Sequence, residues 1–211
     1  MVFKEKRIIV FGDSITAGAA LKPGQKNWPE ILGEMLDVEV LVRGLGGCNS
    51  NMALERWETE VSPYKADIII LEYGMNDHVI WADDKKAAVS EEQFRQNMQA
   101  MINMSKEKDA VPILVTPNRV IEEYYYTRHE PRFYSHVGGA NCQIERFCEI
   151  LRSLAKANDV SIADVFEETK KYDLHTLLRT PDNGEFEDGV HPYGEGIPFY
   201  AQALYQTIQK I

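Results

Sequence analysis

Short, nearly continuous runs of aliphatic residues recur along the chain, separated by longer segments with helical periodicity. The runs occupy residues 7–11, 38–42, 67–72 and 111–115, and a weaker run covers 160–163. A strand that is buried on both faces needs such unbroken runs, whereas a strand with one solvated face alternates polar and apolar residues. The pattern therefore predicts about five buried parallel strands.

Between these runs, apolar residues recur at the spacing of one helix face. Asn27 and Pro29 open a predicted helix that ends near Leu36, because Asn is a favoured N-cap and proline fits the first helical turn. A capping box from Ser90 to Gln93 precedes a second stripe. Two further stripes comprise Ile144, Phe147, Cys148, Leu151, Leu154 and Ala155, and Ile197, Tyr200, Ala201, Leu204, Ile208 and Ile211. Strands alternating with helices predict a three-layer α/β/α sandwich around a central parallel sheet.

Length and composition favour one globular domain over residues 1–211. A chain with 44% hydrophobic and 27% charged residues can bury a full core without disulfides or metals. The net charge is −10, and no run of Lys or Arg could follow a phosphate backbone, so nucleic acid is not an expected partner. No segment approaches the roughly 18 apolar residues of a membrane span. The first apolar run is also too short for a signal peptide.

The cysteines and one long irregular segment add two expectations. Cys48, Cys142 and Cys148 are odd in number and lack metal-ligand spacing, which predicts reduced thiols in a cytoplasmic protein. A loop at about 117–141 is rich in aromatic residues, namely Tyr124, Tyr125, Tyr126, Phe133 and Tyr134. Such a loop could stack on a sugar, close over an acyl chain, pack on itself or join two copies in a homo-oligomer.

Glycine and polar residues follow the ends of the predicted strands, where open parallel sheets bind ligands. The segments are 12–14, 43–48 and 74–77, together with 188–192 before the last helix. They contribute a hydroxyl, a glycine-rich backbone with N–H groups, a side-chain amide and a carboxylate–imidazole pair, which are the components of an acyl-transfer site. Each segment alone is explained by a turn or a cap. Only the four segments taken together favour a catalytic site.

These segments resemble the conserved blocks of the SGNH hydrolases, also called GDSL-type esterases and lipases. Phe11 to Thr16 match the first block and Gly47 matches the second-block glycine. Gly74-Met75-Asn76-Asp77 match the third block and Asp188-Gly189-Val190-His191-Pro192 the last. The resemblance runs from residue 7 to the final helix, and it implies the flavodoxin-like fold of that family.

The resemblance also implies a role for each matching residue. Ser14 would attack an ester carbonyl, His191 would accept the serine proton and return it to the leaving alcohol, and Asp188 would orient the imidazole. The oxyanion would be bound by the backbone N–H groups of Ser14 and Gly47 and by the side-chain amide of Asn76. Neither a cofactor nor a metal is expected.

Neighbouring polar residues receive structural interpretations. Asp13 and Asp77 lie inside the motifs and are expected to brace the loops. Cys48 stands where many family members carry a polar residue, so it either packs inertly or makes the site sensitive to oxidation. His78 is expected to be a solvated loop residue, with a place in the pocket as the alternative.

The implied activity is cleavage of a short-chain or acetyl ester, including esters of carbohydrates, through an acyl-enzyme on Ser14. Three alternatives remain open. A thioesterase or lysophospholipase would use the same residues on another acyl group, and an acyltransferase would replace water by an alcohol. A non-catalytic glycan-binding module would have no need to keep Ser14, Asn76, Asp188 and His191 together.

Overall fold

The fold was obtained as a computed structural model that describes residues 6–19, 21–179 and 188–211. Five parallel strands form one sheet with the order β2-β1-β3-β4-β5. The strands are β1 (Arg7–Gly12), β2 (Glu39–Gly44), β3 (Ile68–Glu72), β4 (Val111–Val115) and β5 (Ser161–Ala163). The predicted five-stranded parallel sheet is confirmed, and each strand matches its apolar run to within two residues.

Helices cover both faces of the sheet. They are α1 (Ser14–Ala17), α2 (Trp28–Leu36), α3 (Ser50–Glu60), α4 (Glu91–Glu107), α5 (Glu122–Tyr125), α6 (Pro131–Tyr134), α7 (Ala140–Asn158), α8 (Val165–Thr169), α9 (Leu174–Leu177) and α10 (Gly196–Ile208), with a 3₁₀ turn at Ser135–Val137. The predicted N-caps are confirmed, since the side chains of Asn27 and Ser90 accept hydrogen bonds from the first turns of α2 and α4.

Alternate residues of the central strands enter two separate cores because successive strand side chains point to opposite faces. One face of β1 and β3 packs with α2 and α10 and the other with α3 and α4. The first set is Ile8, Val10, Ile68 and Ile70, and the second is Ile9, Phe11, Ile69 and Leu71. The sheet is therefore the middle of three layers, as predicted.

Helix α1 lies directly against the carboxyl end of β2. Gly44 pairs with Gly12 across the two strands, and a Cβ atom at Gly44 would collide with the backbone nitrogen of Ala17. The N–H of Leu45 donates to the Gly12 carbonyl over 3.1 Å. This close approach places Ser14, the first residue of α1, at the carboxyl edge of the sheet.

Two segments differ in detail from the sequence expectation. Helix α3 has no predicted counterpart, because only Ser50, Ala53 and Trp57 of its residues are buried and the rest of the segment is mostly polar. The segment 117–141, expected to be a loop, contains the short helices α5 and α6 and the 3₁₀ turn. Among the described residues, no helix combines the length and apolar character that crossing a bilayer requires.

Candidate active site

The side chains of Ser14, His191 and Asp188 form a continuous row of hydrogen-bonding contacts. The Nε2 atom of His191 lies 2.8 Å from the Ser14 Oγ atom. The Nδ1 atom lies 2.7 Å from Oδ2 of Asp188. When Nδ1 carries the proton that it donates to the carboxylate, Nε2 is free to accept the serine proton. The structure thus brings together the predicted nucleophile, base and orienting carboxylate, with His191 between the other two.

The loop that carries the carboxylate and the imidazole is folded by a tight turn. Gly189 has a φ of +60°, and a Cβ atom there would lie only 2.8 Å from the carbonyl oxygen of Ile121. The N–H of Ile121 in turn donates to the Gly189 carbonyl over 2.9 Å. A glycine is needed here both for the backbone conformation and for the close packing. The loop therefore rests on the aromatic segment just before α5.

The Asp188 carboxylate is suited to pair with a cationic imidazole. Burial raises the pKa of Asp188, but the hydrogen bond and the charge of His191 outweigh this effect and hold the pKa below its ordinary value. Only 7% of the Asp188 side chain and 16% of the His191 side chain are exposed. Partial burial strengthens the attraction between the two groups, because water screens it less.

The amide of Asn76 joins the first and second motif loops to the third. Its Nδ2 atom donates to Oδ2 of Asp13 over 3.0 Å and to the carbonyl of Cys48 over 3.1 Å. Asp13 directly precedes Ser14, and Cys48 directly follows Gly47. Gly47 is exposed and has a φ of +71°. The four sequence motifs therefore converge at one edge of the sheet.

Helix α1 is held at both ends, which fixes the serine at its start. Oδ1 of Asp13 accepts a hydrogen bond from the Ile15 N–H over 2.8 Å and caps the helix. The Asn27 amide donates to the Thr16 carbonyl, and the Trp28 indole N–H donates to the Ile15 carbonyl over 3.2 Å. Because all these donors and acceptors are buried, the loss of any one leaves a polar group unsatisfied. No local pattern in the sequence identifies the second role of Asn27.

Three carboxyl groups next to the site, those of Asp13, Glu72 and Asp77, are fully buried. Burial raises the pKa of Asp13 and of Asp77 to about 6, and it raises the pKa of Glu72 well above its ordinary value. Asp77 accepts hydrogen bonds from the N–H groups of Ser50 and Gly74. The contacts of Asp13 and Asp77 agree with the bracing role expected for both. Glu72 was not singled out, although an acidic residue at the end of an apolar strand is a visible signal.

The expectation that His78 is a solvated loop residue is wrong. Its side chain is fully buried, with Nε2 at 3.0 Å from the Tyr125 hydroxyl and Nδ1 at 3.3 Å from the Gly74 carbonyl. The Tyr125 hydroxyl also contacts that of Tyr134 over 2.8 Å. Burial lowers the pKa of His78 to about 3. The aromatic segment thus packs on itself and on the third motif through a neutral imidazole.

Cys48 is buried inside the site, where it contacts the partly buried Arg56. Its Sγ atom lies 3.0 Å from Nη1 of Arg56, whose Nη2 atom also donates to the Arg43 carbonyl and to Glu60. Burial raises the pKa of the Cys48 thiol despite the nearby guanidinium. The inert interpretation of Cys48 therefore fits its environment. No sequence pattern marks Arg56 as part of this neighbourhood.

A small pocket with a cavity volume of about 10 Å³ lies beside Ser14 and His191. The other residues around it are Ile15, Gly18, Ala19, Leu21, Asn27 and Pro192. Pockets for drug-sized ligands measure roughly 300–1,000 Å³, whereas this one has about the space of a single water molecule. A larger depression of about 290 Å³ includes Arg7 and Glu39 at the amino ends of the strands, where none of the motif residues lies.

Comparison with known proteins yields relatives along nearly the whole chain. An uncharacterized lipoprotein, YqeF of Bacillus subtilis, is 28% identical over 216 residues, which cover 96% of this chain and 87% of that protein. The bovine isoamyl acetate-hydrolyzing esterase 1 homolog is 26% identical, over 97% of this chain and 82% of its own length. The crystal structure of the acetyl xylan esterase AlAXEase superposes with a TM-score of 0.71 at 25% identity, over 96% of this chain and 99% of that one.

The family is given by a match that spans most of the chain. The model of the GDSL-like Lipase/Acylhydrolase family matches residues 10–196, a range that begins in β1 and ends at the first residue of α10. All four motifs lie inside it. The chain belongs to the GDSL-like lipase/acylhydrolase family of hydrolases, which act on ester bonds.

Proposed function

We propose that the protein is a serine esterase that works through a covalent acyl-enzyme on Ser14. The observation that carries the proposal is the row of contacts from Ser14 Oγ through His191 to Asp188, at 2.8 and 2.7 Å. His191 removes the serine proton as Oγ attacks the ester carbonyl, and it then delivers that proton to the leaving alkoxide. Water repeats the sequence on the acyl-serine and releases the acid.

The negative charge of the tetrahedral intermediate is stabilised by the N–H groups of Ser14 and Gly47 and by the Asn76 amide. Both N–H bonds of that amide already have acceptors, Asp13 and the Cys48 carbonyl. A hydrogen bond to a carboxylate is roughly twice as strong as one to a neutral carbonyl. We therefore expect the bond to Asp13 to persist and the bond to Cys48 to be exchanged for the oxyanion.

The acyl group of the substrate is small, of about acetyl size. The pocket beside Ser14 and His191 is narrow and is lined partly by apolar residues. The bovine relative and the superposed esterase are named for different alcohols, isoamyl alcohol and xylan, but both names specify an acetyl ester. A shared acyl group with a variable alcohol supports a site that selects acetyl and leaves the alcohol outside the pocket.

The proposal is tested by ester panels that vary one part of the substrate at a time. A p-nitrophenyl series from acetate to decanoate varies the acyl chain, and we expect kcat/KM to be highest for acetate or butyrate and to fall with length. A preference for decanoate would instead support the lysophospholipase alternative. Isoamyl acetate, acetylated xylo-oligosaccharides and an acetyl thioester vary the leaving group. Adding an acceptor alcohol and measuring the new ester distinguishes transfer from hydrolysis.

The cellular location and the assembly state remain predictions. Cys48 and Cys148 are buried and Cys142 is exposed. One relative is named a lipoprotein, so cell fractionation is needed to test the cytoplasmic assignment. Sedimentation of the purified protein tests the homo-oligomer.

A further inference from the structure

Glu72 is a fully buried acid directly beneath the proposed site. It ends β3 in register with Gly12, so it lies beside the strand that leads into Asp13. Its Oε2 atom accepts a hydrogen bond from the Thr16 hydroxyl over 3.0 Å. The other carboxyl oxygen, Oε1, is buried, and no donor reaches it from the described residues. A hydroxyl donor at one oxygen is poor compensation for a buried carboxylate.

The neighbour of this acid is the Asp13 carboxyl group. The two carboxyl groups interact with each other. Asp13 also accepts hydrogen bonds from the N–H of Ile15 at Oδ1 and from the Asn76 amide at Oδ2. Glu72 is therefore connected through Asp13 to the amide that is proposed to bind the oxyanion.

Two buried carboxyl groups in contact cannot both be ionised, so they share a proton. Two N–H donors and the attraction of His191 favour the charged form of Asp13. Burial and the repulsion of Asp13 disfavour the charged form of Glu72, and they outweigh its hydrogen bonds from the Thr16 hydroxyl and the Asp13 backbone. These interactions favour a proton on Glu72. The other titratable groups that interact with this pair are Cys48, Tyr73, Asp77 and Tyr200. None of these is a cation.

We propose that Glu72 is a positioning residue: a neutral carboxylic acid whose O–H donates to Asp13 and thereby keeps that carboxylate in place to orient the Asn76 amide. This inference rests on the proposed role of Asn76 in the oxyanion hole. Glu72 itself touches neither the substrate nor the reacting atoms.

Two substitutions of nearly equal size show whether Glu72 acts as a hydrogen-bond donor or only fills space. Glu72→Gln keeps a neutral donor, and we expect it to retain kcat for p-nitrophenyl acetate within about threefold. Glu72→Leu fills the space without a donor, and we expect kcat to fall about 10- to 100-fold with little change in KM, a fraction of the effect of losing an oxyanion donor outright. The acid limb of the kcat profile should move to higher pH in Glu72→Leu only, because the hydrogen bond from Glu72 lowers the pKa of Asp13.

The protonation state is measured without reference to activity. At about pH 8 the Asp13 and Asp77 carboxyls, with pKa values of about 6, are ionised. The wild type should then show the infrared carbonyl band of one neutral buried carboxylic acid, and Glu72→Gln should lack it. Absence of this band from the wild type would overturn the proposal, even if Glu72→Leu failed to fold.

The kinetic outcomes are equally decisive. The proposal is wrong if Glu72→Gln loses as much activity as Glu72→Leu, or if Glu72→Leu keeps the wild-type kcat and acid limb. Asn76→Ala distinguishes the proposed oxyanion role of Asn76 from the proposed protonation of Glu72. If that variant keeps full activity while the infrared band is present, the proposed oxyanion hole fails but the neutral state of Glu72 stands.

Discussion

The Asp188 carboxylate contacts His191 at two points, with Oδ2 at 2.7 Å from the ring Nδ1 and Oδ1 at 3.0 Å from the backbone N–H. Oδ1 also accepts the N–H of Val190 over 2.8 Å. One oxygen therefore fixes the turn and the other fixes the orientation and tautomer of the ring. Because the two oxygens have different partners, a carboxylate only three residues before the histidine can both stabilise the turn and orient the imidazole toward Ser14.

Replacing Asp188 by Asn tests whether the orientation of the ring matters. We expect kcat for p-nitrophenyl acetate to fall about 10³- to 10⁴-fold, because an amide donor facing Nδ1 favours the wrong tautomer. The thermal midpoint should change far less than the rate, since the amide oxygen can still accept the backbone N–H groups. A variant with near wild-type kcat would show that Ser14 and His191 function without the carboxylate.

Gly46 and Gly47 form a matched pair in the loop that is proposed to bind the oxyanion. A Cβ atom would meet nothing within 4 Å at either position, but only Gly47 has a φ in the left-handed region, at +71°. Gly47→Ala is expected to lose about 1 kcal/mol of stability and to lose activity as its N–H shifts. Gly46→Ala should do neither. Urea unfolding and initial rates check both, and equal behaviour of the two variants would contradict the assigned donor.

The buried His78 predicts a specific pH dependence of stability. Its pKa is lowered by burial from 6.5 to about 3, so between these values the unfolded chain binds a proton that the folded protein does not. His78 therefore destabilises the fold increasingly as the pH falls below 6.5. Between about pH 7 and 5 the wild type should lose roughly 2 kcal/mol more unfolding free energy than His78→Gln.

The control for this measurement is the exposed His136. His136→Gln makes the same substitution at an exposed position and is measured beside the wild type and His78→Gln over the same pH range. His129, whose pKa is also lowered by burial, is present in all three proteins and its contribution cancels. If His78→Gln tracked the wild type, the imidazole would not be held neutral.

The elements of the fold that could be predicted are those whose local pattern of apolar residues reflects how they are buried. The β-strand runs such as Ile68–Leu71 are apolar throughout because helices cover both faces of the sheet. Helix α3 was missed because its buried face is narrow. The burial of His78 depends on Tyr125, 47 residues away, and local sequence contains no information about that partner.

The same distinction applies to the site. The convergence of the motifs could be predicted because parallel strands bring their carboxyl ends to one edge, whereas the role of each residue came from the resemblance to the GDSL-type family. The supporting contacts of Asn27, Arg56 and Glu72 join motif loops to distant elements, so they emerge only once the chain is folded. A buried acid such as Glu72 is nevertheless detectable as an exception within an apolar run.

The central claim, that Ser14 is the nucleophile, is tested most directly by intact-mass spectrometry of the protein treated with a p-nitrophenyl phosphonate, alongside p-nitrophenyl acetate hydrolysis. The account predicts that the wild type acquires one phosphonyl group, located on the peptide that contains Ser14, and loses activity in step. Ser14→Ala should acquire none and should hydrolyse the acetate at least about 10⁴-fold more slowly. An adduct on another residue, or a Ser14→Ala variant as active as the wild type, would contradict the account.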